Sequence, residues 1–264
     1  MMLATIESAL DDIHSGLRMR RVWIALAQED IGDQHRRTAL GPLWLLINYF
    51  AFAGTFIFVI HRGDTSTGSY AAYVATGLLV WFYIMETLSQ SVSLFVREEG
   101  FIKGTTLPLS VYVMRLLMQS AIRAAYALVG CIVILLLSGT ALSTAWLWSA
   151  LGVLLILATT PAAIILFAFL GAYFPDSQFI VSNIMRIGMF LTPVFWSYEG
   201  SGGVRHLLYY WNPFTYFLEI VRVPILTGGP PIDSLLLCGA IGLVLWTAAL
   251  MVLGLFRKRV VFVI

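Results

Sequence analysis

Two rows of polar side chains at helical spacing are the features of this sequence most suited to chemistry. One row holds Glu86, Gln90, Ser93 and Arg97, and the other holds Arg115, Gln119 and Arg123. Members three or four residues apart share one face of a helix. A turn at residues 104–105 would bring Glu86 level with Arg123. Because a charge inside a membrane is costly unless it meets a partner or water, we expect an ion pair between them that bridges the hairpin. Alternatively, the hairpin protrudes into the cytoplasm, where these charges need no partner.

Patterns typical of catalysis and metal binding are missing from the sequence. The histidines, His14, His35, His61 and His206, lack ligand spacing, and neither His-Glu-x-x-His nor Gly-x-Ser-x-Gly occurs. Cys131 and Cys238 stand singly in apolar runs, where a thiol behaves as a small hydrophobe. The segment 100–106, Gly-Phe-Ile-Lys-Gly-Thr-Thr, lacks the spacing of a phosphate-binding loop. We therefore expect that this chain is not an enzyme. We also expect that it binds no metal, cofactor, nucleic acid or ATP.

The polar rows lie within a strongly apolar chain. Of its 264 residues, 59% are hydrophobic and only 11% are charged, and the mean hydropathy is +0.88. A membrane-spanning helix needs about 20 mostly apolar residues, and continuous runs of this kind differ from the alternating strands of a membrane barrel. We predict an all-α membrane protein with a six-helix domain over residues 36–256. Its spans are expected near 40–60, 71–96, 107–137, 145–174, 178–197 and 233–256, and Pro161 and Pro193 are expected to kink their helices.

The distribution of lysine and arginine predicts the orientation. One side would hold Arg18, Arg20, Arg21, Arg36, Arg37, Arg97, Lys103, Arg257, Lys258 and Arg259, and the other only Arg62, Arg205 and Arg222. The side richer in basic residues is normally cytoplasmic. Both termini, including the tail 257–264, are therefore expected in the cytoplasm. Residues 1–35 lack a signal-peptide pattern, so we expect the first span to direct insertion.

The N-terminal segment 1–35 carries an apolar stripe at helical spacing. Its members are Ile13, Leu17, Ile24, Ala27 and Ile31, with arginines beside them. This pattern is typical of a helix that lies in the membrane surface. A solvated amphipathic tail is the alternative.

The loop Arg97-Glu-Glu-Gly-Phe-Ile-Lys-Gly-Thr-Thr-Leu-Pro108 mixes both charges with two apolar side chains. If transport is driven by ATP, another polypeptide must bind the nucleotide and dock on a cytoplasmic surface of this chain. The candidate docking residues are Arg97, Glu98, Glu99, Phe101, Ile102 and Lys103. A short loop that needs solvated charges is an equally good interpretation.

Residues 198–231 are long for an outer loop and contain helix signals. Asn212 followed by Pro213 is a favourable helix start, with an N-cap and then a proline in the first turn. We predict two short re-entrant or interfacial helices here. Alternatively, the Trp and Tyr residues mark the headgroup belt, and Glu219 and Arg222 form only a surface pair.

Two motifs carry a family resemblance: His35-Arg-Arg-Thr-Ala-Leu-Gly-Pro-Leu-Trp44 and Trp211-Asn-Pro-Phe-Thr-Tyr-Phe-Leu-Glu-Ile-Val-Arg222. With the predicted layout, the chain resembles the permease subunit of ABC-type polysaccharide exporters, which export O-antigen, capsule and teichoic-acid polymers. The resemblance implies a homodimer in the bacterial inner membrane, bound to two copies of a separate ATPase that holds ATP and Mg. Periplasmic export components are possible further partners. The cargo would be a lipid-linked or lipid-capped glycan that passes through a central tunnel.

The resemblance also implies roles for particular residues. The interface helix and membrane entry would hold Arg20, Arg21, Trp23, Arg36, Arg37, Gly41, Pro42 and Trp44. Helices within 198–231 would form an outer gate with Asn212, Pro213, Phe214, Tyr216, Glu219 and Arg222. The segment 30–35, Asp-Ile-Gly-Asp-Gln-His, is more acidic than the family pattern there.

Aromatic side chains suit a glycan cargo because sugar C–H faces pack on rings without a fixed hydrogen-bond pattern. The candidates for a tunnel lining are Tyr49, Phe50, Phe52, Phe190, Phe195 and Trp196, for which ordinary helix or lipid packing is the alternative. Two other function classes stay open from the residues: an ion-coupled carrier that uses Glu86, Arg123 and Arg186, and a membrane-embedded glycan-modifying enzyme. A carrier would predict internal repeats, and an enzyme would need a convergent acid–base set.

Overall fold

The computed structural model describes residues 2–36, 38–60, 67–198 and 202–264. Helices dominate these residues, and no strand occurs within the described ranges. Two arginines that entered the sequence-based predictions, Arg37 and Arg62, lie outside the described residues, as do positions 199–201 of the predicted gate segment.

The helices follow one another in a simple order. They are α1 (Met2–Arg18), α2 (Arg20–His35), α3 (Leu43–Ile60), α4 (Thr67–Val92), α5 (Leu94–Arg97), α6 (Glu99–Gly104), α7 (Leu109–Leu137), α8 (Trp146–Tyr173), α9 (Ser177–Leu191), α10 (Gly203–Tyr210), α11 (Pro213–Thr227) and α12 (Ile232–Phe256). A short 3-10 helix, Val260–Phe262, follows α12.

Four helices of the described chain are long and apolar enough to cross a membrane: Gly68–Val92, Leu109–Leu137, Trp146–Tyr173 and Ile232–Phe256. Leu43–Val59 is a shorter apolar helix. The remaining expected span corresponds to α9, which has 15 residues and therefore a length of about 22 Å. This is shorter than a hydrocarbon core of about 30 Å. The six-span count thus stays a prediction for α3 and α9.

The end of α9 differs from the expectation of a kinked span over 178–197. The helix stops at Leu191, and Thr192 adopts extended backbone with φ −91° and ψ 143°. The residue before a proline is disfavoured in helical conformation, and Pro193 follows directly. Pro193 therefore ends the helix and does not kink it. Pro161, in contrast, lies inside the continuous helix α8.

The N-terminal stripe is divided between two helices that meet at Met19. Helix α1 packs against α7 and α12, and α2 packs against α7. Ala27 and Ile31 are buried, while Leu17 is exposed. The stripe therefore lies on two helices, and its buried members pack against the bundle, while a position in the membrane surface stays a prediction.

Asp12 joins α1 to the start of α7. Its Oδ2 accepts a hydrogen bond from the Ser110 backbone N–H at 3.0 Å, and its carbonyl accepts one from the Ser110 hydroxyl at 2.6 Å. The first turn of a helix has unpaired N–H groups and a partial positive charge. Asp12 thus acts as an N-cap supplied by another helix.

Both chain termini share one end of the bundle, called here the terminal end. Arg257 donates to the Ser8 carbonyl at 2.7 Å, and Lys103 of α6 donates to the carbonyl of Ile264 at 2.5 Å. The opposite end, called the distal end, holds α10 and α11. Each half has its own apolar core, with Phe95 and Leu116 in the terminal half and Trp81 and Leu218 in the distal half.

Candidate functional site

A groove with a volume of about 550 Å³ runs between α3, α4, α7 and α9. Its wall combines aromatic rings with hydroxyl, amide and charged groups. Members of the wall are Asn48, Tyr49, Phe52, Phe82, Tyr83, Glu86, Thr87, Ser89, Gln90, Ser120, Arg123, Ser182 and Arg186. Concave sites with apolar walls and a few convergent polar groups are the usual form of a ligand site. The groove is therefore the candidate transport site.

The expected tunnel aromatics separate into two places. Tyr49 and Phe52 line the groove, where the ring of Phe52 contacts Phe82 edge-on at a centroid distance of 5.3 Å. Tyr49 is almost fully buried and donates to the Ala75 carbonyl at 2.7 Å. Its ring therefore has a structural contact as well as a face in the groove. Phe50 contacts Tyr49 edge-on at 6.3 Å.

The other three aromatic candidates lie towards the distal end. Phe195 stacks on Phe56 at 4.5 Å and contacts Phe190 edge-on at 5.6 Å. The indole N–H of Trp196 donates to the Phe190 carbonyl at 3.0 Å. These side chains form a separate aromatic group beyond the groove.

Glu86 and Arg123 meet across the hairpin inside the groove. Arg123 Nη1 lies 3.2 Å from Glu86 Oε1. Arg123 Nη2 donates to Gln34 Oε1 at 3.0 Å, and Gln90 donates to Glu86 Oε1 at 3.2 Å. The pair thus connects α4, α7 and α2. The alternative of freely solvated charges does not describe Arg123, whose side chain is only 6% exposed.

A second charged group, the inner cluster, is formed by Asp30, Glu98, Arg115 and Gln119. Arg115 Nε and Nη2 each donate to a different oxygen of Asp30 at 2.6 Å, and Nη1 donates to Glu98 Oε2 at 2.8 Å. Gln119 also donates to Asp30. Such a fork between guanidinium and carboxylate has high geometric specificity. The cluster joins α2, the α5–α6 junction and α7.

The predicted docking loop is mostly the short helix α6. Phe101 is 56% exposed, and Arg97, Glu99 and Lys103 are exposed as well. Glu98 and Ile102 are buried. The expectation of an exposed apolar pair is therefore wrong for Ile102, because one face of α6 turns into the bundle.

Arg222 lies at the distal end, buried between α4, α11 and the segment after α9. Its Nη1 donates to the Pro193 carbonyl at 2.7 Å, and its Nη2 donates to the Val194 carbonyl at 3.1 Å. The guanidinium carbon lies 3.6 Å from the centroid of the Tyr73 ring, close enough for a cation–π contact. These contacts form the distal clasp. They overturn the alternative of a surface pair, since Arg222 is 4% exposed.

Gly77 leaves the space that Arg222 occupies. A Cβ atom on Gly77 would overlap the guanidinium and approach the Val194 carbonyl oxygen to 2.7 Å. Any larger residue would push these groups apart. The clasp therefore depends on glycine at this position of α4.

Glu219 faces other partners within the predicted gate. It accepts hydrogen bonds from the Tyr209 hydroxyl and, at 2.7 Å, from Ser234 of α12. Burial, and then the hydrogen bond to Glu219, raise the pKa of Tyr209 above its ordinary value. Glu219 thus ties α10, α11 and α12 together, and no ion pair with Arg222 is found in the described part of the chain.

The other expected gate residues fix the start of α11. Asn212 Oδ1 accepts from the Phe214 N–H at 3.0 Å, with Pro213 in the first turn, as the sequence predicts. The Asn212 amide also donates to Thr192 at 2.8 Å. Tyr216 donates to the Tyr210 carbonyl at 2.9 Å. Gly228 ends α11 with φ +75°, a conformation that glycine adopts readily.

The expected entry residues lie at the surface of the described chain. Arg20, Arg21, Arg36 and Trp44 are exposed, and Trp23, Gly41 and Pro42 are half-buried. Arg36 makes an exposed pair with Asp33 at 3.6 Å. Within the described ranges, no hydrogen bond or ion pair joins these residues to the groove.

Sequence reasoning missed several residues that the structure brings into these sites. Asp30 was noted only as a departure from the family pattern, yet it binds Arg115. Tyr73 and Gly77 lie one turn apart on α4 and gave no signal. Their roles depend on a residue far along the chain, which periodicity alone cannot identify.

Comparison with known proteins gives the family. The model of the ABC-2 type transporter family matches residues 21–226. Two relatives, both described as O-antigen export system permease protein RfbA of Klebsiella pneumoniae, are 23% identical over 179 residues, which is 66% of this chain and 68% of each relative. An ABC transporter permease is not a catalytic subunit, and these matches favour neither an ion-coupled carrier nor a glycan-modifying enzyme. The chain belongs to the ABC-2 type transporter family of membrane permeases.

Proposed function

We propose that this chain is the transmembrane permease subunit of an ATP-driven exporter that moves lipid-linked or lipid-capped polysaccharide across the bacterial inner membrane. The observation that carries the proposal is the family match over 21–226, together with the similarity to O-antigen export permeases. The groove supports it, because its wall offers both rings and polar groups to a sugar chain.

The proposed exporter is a homodimer of this chain on two copies of a separate ATPase, which binds ATP and Mg²⁺. The groove is lined by residues of α3, α4, α7 and α9, and a second copy facing it would complete an enclosed path. Both termini would lie in the cytoplasm, and periplasmic export components would receive the polymer. Helices α10 and α11 would form the outer gate, held by the distal clasp.

The proposed ATPase-docking surface is the exposed side of α6 at the terminal end. It presents Phe101, Glu99 and Lys103, together with Arg97 at the end of α5. Glu98, directly before α6, contacts Arg115, so movement of α6 would act on α2 and α7 through the inner cluster. Docking would thereby be linked to the helices around the groove.

Deletion and complementation in the source bacterium test the proposal. Loss of the chain should stop surface polysaccharide and leave lipid-linked polymer inside the cell, and the wild-type gene should restore export. Phe101→Ala should reduce co-purification of the ATPase while the permease remains in the membrane. Phe262→Ala, an exposed aromatic at the same end, is the matched control. Normal surface polymer in the deletion strain would contradict the proposed cargo.

A further inference from the structure

The groove holds more positive than negative charge. Its charged wall residues are Arg123, Arg186 and Glu86. Arg123 shares its charge with Glu86 at 3.2 Å. Arg186 is exposed on α9 and has no ion pair or hydrogen bond with any described residue. One guanidinium in the groove is therefore not neutralised by the described chain.

Buried donors in the same wall also lack hydrogen bonds. The Ser120 and Thr87 hydroxyls have none in the described part of the molecule, and Arg123 Nη1 has only its 3.2 Å ion pair with Glu86. All three residues line the groove. Because buried polar groups in proteins are almost always hydrogen-bonded, these donors indicate that something else supplies oxygen atoms there.

Arginine chemistry narrows the class of ligand. An unpaired charge within a membrane is costly and normally faces a partner, a cavity or water. The planar guanidinium fork suits carboxylate and phosphate oxygens, and arginine is the usual residue for such anions. A phosphate group has enough oxygens to accept from two guanidinium groups and from neighbouring hydroxyls at once.

We propose that the groove contains a phosphate-binding site formed by Arg123 and Arg186, with Ser120 and Thr87 as further donors. Glu86 holds Arg123 in place and competes with the phosphate for it. The phosphate comes either from the lipid end of the cargo or from an acidic phospholipid of the bilayer. The cargo source rests on the proposed function, whereas the binding chemistry does not.

Binding to the purified full-length chain in phosphatidylcholine nanodiscs tests this site. The probes are a polyprenyl diphosphate, phosphatidylglycerol and an uncharged polyprenol. Arg186→Gln should weaken binding of the diphosphate on the order of tenfold, the loss expected for one charge-assisted hydrogen bond. Arg123→Gln should have a similar effect, and Glu86→Gln should tighten binding. Arg205→Gln, an exposed arginine of α10 outside the groove, should leave it unchanged.

The probes separate the two sources. Arginine-dependent binding of the diphosphate alone identifies the cargo, and equal arginine-dependent binding of phosphatidylglycerol identifies the bilayer lipid. Arg186 is exposed and makes no hydrogen bond or ion pair with the described residues, so Arg186→Gln stays informative even if Arg123→Gln does not fold. Unchanged diphosphate binding by folded Arg186→Gln would overturn the proposal.

Two further measurements distinguish failure of the phosphate site from failure of the proposed export function. If mass photometry shows that Arg186→Gln dissociates a dimer without changing phosphate binding, Arg186 pairs with the second copy and the site is wrong. Surface polysaccharide in the complemented strain reports on the proposed function independently. Normal export with no arginine-dependent binding would remove the phosphate site alone, and binding without any role in polymer export would remove the cargo source alone.

Discussion

Arg115 at the terminal end and Arg222 at the distal end are both drawn into the bundle, but their charges meet different partners. Arg115 forks onto Asp30 and adds Glu98, so two carboxylates surround it. Arg222 meets two backbone carbonyls and the face of the Tyr73 ring. Both arginines join segments that are distant in sequence.

The difference indicates what each end can tolerate. The carboxylates at the terminal end belong to side chains of α2 and of the α5–α6 junction. These two elements can therefore move away from Arg115 and form the same ion pairs again when they return. Carbonyls at the distal end belong to the backbone after α9, so the clasp sets the path of the chain there. We infer that the terminal cluster suits coupled movement, whereas the distal clasp fixes the position of the gate helices.

The largest effect is expected from breaking the inner cluster with Arg115→Gln. This change leaves Glu98, which is 8% exposed, with only its longer ion pair to Arg97 at 3.4 Å. Removal of one partner from a buried pair costs about 3 kcal/mol, and less here because Asp30 is partly exposed. The thermal unfolding midpoint of the purified protein should fall clearly. Arg115→Lys keeps the charge but loses the fork, so its unfolding midpoint should lie between those of the wild type and Arg115→Gln. Equal midpoints of all three proteins would contradict the role of the fork.

Breaking the distal clasp without changing any charge should have the next largest effect. In Gly77→Ala the new methyl group overlaps the Arg222 guanidinium, and such overpacking costs about 2 kcal/mol. The loss of stability is measured by thermal unfolding, and loosening of α10 and α11 is measured by their rate of proteolysis. Gly239→Ala in α12, where no heavy atom lies within 4 Å, is the matched control and should be neutral or slightly stabilising. If both variants unfold alike, the clasp is not a rigid contact.

The Glu86–Arg123 pair is expected to contribute less to stability than the inner cluster or the distal clasp. Glu86 is 40% exposed, so its coupling to Arg123 should be under about 1 kcal/mol. Glu86→Arg and Arg123→Glu should each destabilise the protein, and the double exchange should recover part of the loss. Unfolding midpoints of the four proteins give the coupling energy. Additive behaviour would show that the two charges do not stabilise one another.

The smallest effect is expected at the surface of α2. Asp33 and Arg36 lie 3.6 Å apart, with side chains 62% and 82% exposed. Asp33→Asn should change stability by less than about 0.5 kcal/mol, because solvent screens such a pair. Compared with Asp30→Asn on the same helix, it separates the inner cluster from the general charge of α2. If Asp30→Asn and Asp33→Asn lose equal stability, the inner cluster contributes no more than the general charge of α2.

Features that depend on local sequence could be predicted well. Apolar run length and helical spacing identified the long helices, and Asn212 with Pro213 marked the start of α11. Counting residues on the two sides of one hairpin was enough to predict that Glu86 and Arg123 lie side by side. The end of α9 was missed although its signal was local, because the apolar run continues past Pro193 and obscures the helix stop.

Tertiary structure alone decided which partner each buried polar group meets. The sequence placed Arg222 in the outer gate, with a surface pair to Glu219 as the alternative, and did not identify its buried partners. Arg222 is buried because Gly77, on a helix more than a hundred residues away, leaves room for it. In the same way Asp30 meets Arg115 only because α2 packs along α7. Sequence by itself determined that the chain belongs in a membrane, since that property is a sum over residues. The packing of helices distant in sequence decided where its charges are paired and where Arg186 lines the groove without an ion pair to any residue that the structure describes.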